Sequence, residues 1–182
     1  MISQSHRRKP NRLKTYDYSE NGWYFVTICT KNREECFGNV ENGKIILNES
    51  GIIVKQQWLW LTKQYNYVTL DEWIIMPNHI HGILVIHNGS KYHVGTGRDL
   101  SLQQWDMIKP LSEIVGAFKT TSSKLIHRLG IQIFQWQRSF YDHIIRNENS
   151  LFSIREYIHN NPTKWELDEN HPNNIKNHHV KT

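Results

Sequence analysis

Three features of the sequence predict an α+β domain built on an antiparallel sheet. Residues 68–76 and 79–87 are two β-branched and aromatic runs separated only by Pro77-Asn78, the spacing of an antiparallel pair closed by a tight turn. A third run, Trp-Tyr-Phe-Val-Thr-Ile-Cys-Thr at 23–30, follows the turn dipeptide Asn21-Gly22 and makes the first strand. Between and after these runs lie two stretches whose apolar residues recur at steps of three and four, the period of an amphipathic helix.

The elements follow in order. A turn-rich stretch with Gly38 and Asn42-Gly43 leads into a short hairpin through 44–47. Val54, Trp58, Leu61 and Tyr65 put one apolar stripe on a helix over 50–65. After the strand pair comes a long glycine-containing segment, 88–109, of the kind that is either functional or disordered. Beyond Pro110, the residues Leu111, Ile114, Val115, Phe118, Ser122, Leu125 and Leu129 form a second helical stripe ended by Gly130, with Lys119, Lys124 and Arg128 on its other face. Residues 131–136 and 140–145 are short β-like runs. Asn147 or Ser150 can cap a last helix through Asn160, which Asn161-Pro162 should stop because the residue before proline avoids the helical region. Strand, helix, strand, strand, helix, strand is the split βαβ, ferredoxin-like plan, with helices on one face and an extra helix at its C-terminal end.

The 182 residues suffice for one such domain. We expect a basic arm over 1–20, a single domain over 21–165 and a polar, disordered tail over 166–182. An aromatic content of 12% argues against a chain that is disordered throughout. Cys29 and Cys36 are too few for a disulfide framework and lack the spacing of a zinc knuckle, which points to a reducing, cytoplasmic setting. No apolar run reaches the roughly 18 residues of a membrane span, and the basic start has no hydrophobic stretch behind it as a secretory signal would. The net charge of +5 suits a polyanionic partner without requiring one.

Chemistry is suggested by the eleven histidines, through the spacing of two. Side chains alternate along a strand, so His79 and His81 share a face with Cα atoms roughly 6.5–7 Å apart, close enough to converge on one cation. The same spacing also fits two histidines on a solvated sheet face. On the last helix Leu151, Ile154 and Ile158 form the buried stripe, and Tyr157 and Asn161 stand together at its border as i, i+4 neighbours. A tyrosine there is equally compatible with a core-edge aromatic, and the asparagine with a C-cap.

The sequence resembles the REP-associated tyrosine transposases, single-tyrosine members of the His-hydrophobe-His endonuclease superfamily related to IS200-like transposases. Four blocks carry the resemblance: Tyr24-Phe25-Val26-Thr27, Met76-Pro77-Asn78-His79-Ile80-His81-Gly82, Trp136-Gln137 through Phe140-Tyr141-Asp142-His143, and Arg155-Glu156-Tyr157-Ile158 through Asn161-Pro162. The resemblance implies that His79 and His81 are the metal-binding pair, Tyr157 the nucleophile and Asn161 the third ligand, where relatives often carry Gln. It also implies a Mg²⁺ or Mn²⁺ ion, a single-stranded DNA substrate with a hairpin or palindrome, and a 5′-phosphotyrosine intermediate that keeps bond energy for rejoining. Tyr141 is the rival nucleophile. Arg7, Arg8, Lys9, Arg12 and Lys119 are the candidate phosphate contacts. Assembly as a homodimer or as a monomer stays open, as does the alternative of a domesticated palindrome-binding protein with little catalysis.

Overall fold

The computed structural model describes residues 16–87 and 108–175. Among the described residues six strands form two sheets: β1 (Gly22–Cys29), β4 (Val68–Met76), β5 (His79–Ile86) and β6 (Tyr141–Ile145) make the main one, and β2 (Gly38–Glu41) and β3 (Lys44–Leu47) a separate hairpin. The main sheet has the order β4-β5-β1-β6, with each neighbouring pair antiparallel. With α1 (Glu49–Gln64) and α2 (Leu111–Arg128) as the connecting helices, this is the ferredoxin-like arrangement. Two further helices follow, α3 (Glu148–Asn160) and the short α4 (Pro172–Ile175). No helix among the described residues is long and apolar enough to cross a membrane.

Alternation along the strands separates two cores. Tyr24, Val26, Ile28, Ile80, Leu84 and Ile86 face α1 and α2, where Val54, Trp58, Leu61, Ile114, Val115 and Phe118 close the larger core. Phe25, Ile83, Val85 and Ile145 point the other way, toward Ile158 of α3 with Leu151 and Ile154 packed beside it. The tyrosine-bearing helix therefore covers the sheet face that also carries His79 and His81.

The helix ends follow local chemistry. Asn48 Oδ1 accepts the Gly51 N–H and Asn147 Oδ1 the Ser150 N–H, capping α1 and α3. Gly130 ends α2 with φ of 92°, a left-handed value that glycine adopts without a Cβ clash. Gly82 answers to packing instead. A Cβ there would stand 2.5 Å from Cζ2 of Trp58, so the glycine after His81 is the space that α1 fills with an indole. Gly82→Ala is expected to destabilise the fold by about 1–3 kcal/mol, as overpacking of a filled core does; a shift in the urea unfolding midpoint measures it.

Several expectations need correction. Residues 131–136 form no strand, because only Trp136 bridges to Thr30 while Ile133 is 82% exposed. The buried stripe of α2 ends on Ile126, with Leu129 turned 45% to solvent. The last helix does end at Asn160 as expected, but not because Asn161 leaves the helical region: Asn161 keeps helical angles (φ −57°, ψ −43°) before Pro162, and a 3-10 turn over Pro162–Leu167 follows. Residues 166–175 are not a disordered tail: Asp168, Asn170 and His171 are buried, Asp168 bonded by Asn161, Asn170 by Asn78 of the β4–β5 turn, and His171 packed on Trp165. Residues 176–182, the arm residues Arg7, Arg8, Lys9 and Arg12, and most of the 88–109 segment with its Gly95-Thr96-Gly97-Arg98 stretch and Trp105 lie outside the described residues. Tyr16 and Tyr18, placed in the arm by composition, pack against the larger core.

Candidate active site

In the β1–β5 ladder Thr27 pairs with His81 and Cys29 with His79, which puts these four side chains on the α3 face. Both histidines are buried, with ring centroids 4.4 Å apart. Thr27 Oγ1 lies 2.8 Å from His81 Nδ1, and Phe25 stacks on the same imidazole at 5.4 Å. The Nε2 edge of His81 is thereby aimed at α3.

His79 is oriented by its neighbour. Asn78 Nδ2 donates to the carbonyls of Arg33 and Asn170, at 3.0 and 2.8 Å, so Asn78 Oδ1 must be the atom facing His79 Nδ1 at 2.8 Å. An amide oxygen only accepts, which places the His79 proton on Nδ1 and a bare lone pair on Nε2. That Nε2 is buried without a hydrogen-bond partner, a cost that a buried polar atom rarely carries unless a ligand satisfies it.

From the opposite side, α3 brings Tyr157 to the pair. Its hydroxyl is 3.1 Å from His81 Nε2 and 3.4 Å from Asp168 Oδ2, and its ring meets Phe25 edge-on. The helix is tied to the sheet by Arg155, whose Nε and Nη2 bind the two Asp71 oxygens at 2.7 and 2.6 Å while the guanidinium lies over Trp23. Asp71 sits where the β4–β5 register shifts between Leu70 and Trp73.

One turn beyond, Asn161 is buried and donates from Nδ2 to Asp168 Oδ2 at 2.7 Å, leaving Oδ1 buried and unpartnered. Asp168 Oδ1 accepts the Asn170 N–H at 2.6 Å. The ligand atoms of His79, His81 and Asp168 lie within 4.8 Å of one another, a group able to hold a metal ion. Two imidazole nitrogens and a carboxylate suit a divalent transition-series ion, and the orphaned Nε2 and Oδ1 atoms are donors that such an ion would satisfy. The residues present fit the group.

Electrostatics favours the same state. Burial, then His81 and Arg33, hold His79 well below the ordinary imidazole range, and burial above all brings His81 down to about 4 against the pull of Asp168. Both rings are neutral at pH 7 and offer lone pairs. Burial and the negative charges of Asp168 and Glu169 push the Tyr157 phenol up, so the hydroxyl keeps its proton.

The four central sequence candidates, His79, His81, Tyr157 and Asn161, thus meet at one place. It opens into a groove of about 950 Å³ bordered by Arg33, Tyr141, Lys164 and Glu169. Tyr141 faces this groove 52% exposed, its ring against Phe25 at 6.4 Å. Lys119 is instead half-buried, its ammonium donating to the carbonyls of Gln137 and Arg138, where it braces the chain at the groove's rim. Trp136 is core, and Trp23 lies beneath Arg155. His127 and His87 bond to the Phe134 carbonyl and the Thr69 hydroxyl.

Sequence reasoning missed Asp168, Asn78, Asn170 and Arg33. The available signal for Asp168 was Trp165 just ahead of it, a large apolar residue that a solvated tail does not need and that is buried here.

No family model matches the chain. An uncharacterized protein of Haemophilus influenzae is 41% identical over 168 residues, covering 90% of this chain and 93% of that one. A second Haemophilus influenzae protein, named a REP-associated tyrosine transposase, is 26% identical over 149 residues, or 81% of this chain and 74% of that one. The solved structure of a REP-associated tyrosine transposase bound to a REP hairpin superposes with a TM-score of 0.57 at 18% identity, covering 87% of this chain and 76% of that one, a likeness of fold. The chain is thus similar in sequence to a protein named for the REP-associated tyrosine transposases and shares the fold of a solved member, with the paired histidines facing a helix-borne tyrosine.

Proposed function

We propose that the protein is a metal-dependent single-stranded DNA endonuclease and strand transferase that acts on hairpin or palindromic DNA through a 5′-phosphotyrosine intermediate. Similarity to a REP-associated tyrosine transposase supports a DNA-binding role, and the structural neighbour solved with a REP hairpin supports a folded single strand as the ligand. The observation that carries the chemistry is the Tyr157 hydroxyl, 3.1 Å from His81 Nε2 and beside the bare His79 Nε2, within one chain.

The residues divide the work. His79 and His81 present Nε2, with Asn78 and Thr27 fixing the rings from behind. Asp168 supplies the carboxylate, which Asn161 Nδ2 and the Asn170 N–H orient; Asn161 Oδ1 is the further donor. A divalent ion held there, Mg²⁺ or Mn²⁺, would supply Lewis acidity to a phosphate oxygen and would offset the Asp168 charge that, after burial, keeps the phenol protonated. Tyr157 is the nucleophile, held by Phe25 and by the Arg155–Asp71 fork. Its oxygen forms a bond to phosphorus as the bond to the 3′ oxygen breaks, leaving a free 3′-OH and a phosphotyrosine that a second 3′-OH can attack.

The test incubates the protein with end-labelled single-stranded palindromes from the flanks of its source gene, with Mn²⁺ or with EDTA. A denaturation-resistant protein–DNA band that requires Mn²⁺ is expected. Tight hairpin binding with no such band would favour the palindrome-binding reading instead.

A further inference from the structure

Arg33 is a charged residue in the groove whose partners do not account for its charge. It follows β1 in the short turn Lys31–Arg33, where Asn32 (φ 55°) and Arg33 (φ 58°) are successive non-glycine residues in the left-handed region. Such conformations are costly for side-chain-bearing residues and persist where the surroundings impose them. Here the surroundings are those of the histidine pair. Thr30 Oγ1 bonds the carbonyls of Glu34 and Asn78, and the Arg33 carbonyl accepts from the same Asn78 amide that orients His79.

The strained turn sends the guanidinium over the sheet face that carries the histidines. Nη1 contacts Cys29 Sγ and Asn170 Oδ1, and the side chain lines the groove with His81, Tyr157 and Asp168. Neither partner is anionic, since burial pushes the Cys29 thiol up to about 11 and Asn170 is neutral. Among the described residues Arg33 makes no salt bridge. A guanidinium has five donors in a planar fork that matches two oxygens of a phosphate, and the bonds seen here use Nη1.

We propose that Arg33 is the clamp for the scissile phosphate, hydrogen-bonding its non-bridging oxygens while Tyr157 attacks. The inference rests on the strand-transfer reading and adds a residue to it. As the bond from the Tyr157 oxygen to phosphorus forms and the bond to the 3′ oxygen breaks, the guanidinium faces the charge gathered on the non-bridging oxygens. The phenol gives one proton to solvent and the 3′ oxygen takes one, so the step is proton-neutral.

The experiment compares wild type, Arg33→Ala, Arg33→Gln and Arg33→Lys on two hairpin strands. One is an ordinary phosphodiester; the other carries an uncharged methylphosphonate at the cleaved position, mapped from the free 3′ end that wild type releases. A shortened hairpin ending before that position, together with thermal unfolding, identifies variants that fold and bind as wild type does. On the phosphodiester, Arg33→Ala and Arg33→Gln should form adduct about 100-fold more slowly, with Arg33→Lys between them and wild type. On the methylphosphonate the gap should close, because the charge that Arg33 meets has been removed. Equal loss on both strands, or no loss on the phosphodiester, would overturn the clamp while leaving strand transfer standing. Absence of adduct from wild type on the phosphodiester would overturn the strand-transfer reading, and the clamp with it.

Discussion

Tyr157→Phe is expected to abolish the covalent protein–DNA adduct, lowering its rate by at least about a thousandfold, the scale on which loss of a nucleophile is felt. Hairpin binding should be unchanged. The substitution removes one hydroxyl whose bonds, 3.1 Å to His81 and 3.4 Å to Asp168, are long and made at a partly exposed ring. The ring's contact with Phe25 and the Arg155–Asp71 fork that anchors α3 remain. Stability should therefore stay within about 1 kcal/mol of wild type. Tyr141→Phe is the matched control. It removes a hydroxyl from the same groove, at a ring on β6 that packs edge-on against Phe25, and should leave the adduct rate near wild type.

The second large effect belongs to the histidines. His79→Ala and His81→Ala should each reduce Mn²⁺-dependent adduct formation by about 100-fold or more, since even partners behind a metal ligand cost 10–100-fold when lost. The pair also predicts a pH dependence of stability without the ion. Folding depresses the His81 imidazole from its ordinary 6.5 to about 4, and His79 moves in the same direction. As pH falls below 6.5 the unfolded chain takes up protons that the folded chain refuses, so stability is lost progressively between about pH 6.5 and pH 4. Urea midpoints measured across that interval in EDTA should fall. The slope should flatten in the His79→Asn, His81→Asn double variant, and a wild-type midpoint indifferent to pH would contradict the buried neutral pair.

Most of the element order and the centre of the site could be read from the residues because both depend on local periodicity. Strand alternation puts His79 and His81 on one face whatever the rest of the chain does, and helical spacing puts Tyr157 next to Asn161. What escaped depends on non-local return. Asp168 and Asn170 lie in a stretch whose asparagine and histidine content resembles a solvated tail; Asn170 is ordered by Asn78, 92 residues earlier, and Asp168 by Asn161 and the Asn170 N–H. Arg33 was hidden for a different reason: nothing in Lys31-Asn32-Arg33 announces two left-handed residues, which exist because Thr30 and Asn78 bind the turn from both sides. Lys119 was read as a surface cation from the helical wheel, yet loop carbonyls beyond the helix's own end claim its ammonium.

The central claim is that one tyrosine on α3, set against the paired histidines, carries the DNA. Its most direct measurement is the attachment site itself. Wild-type protein is trapped with a Mn²⁺-activated palindromic strand, digested with protease and nuclease, and the nucleotide-bearing peptide is sequenced by mass spectrometry. The account predicts a phosphotyrosine linkage at Tyr157, in the peptide around Arg155-Glu156-Tyr157-Ile158. A linkage at Tyr141, or cleaved DNA with no peptide attached, would contradict it.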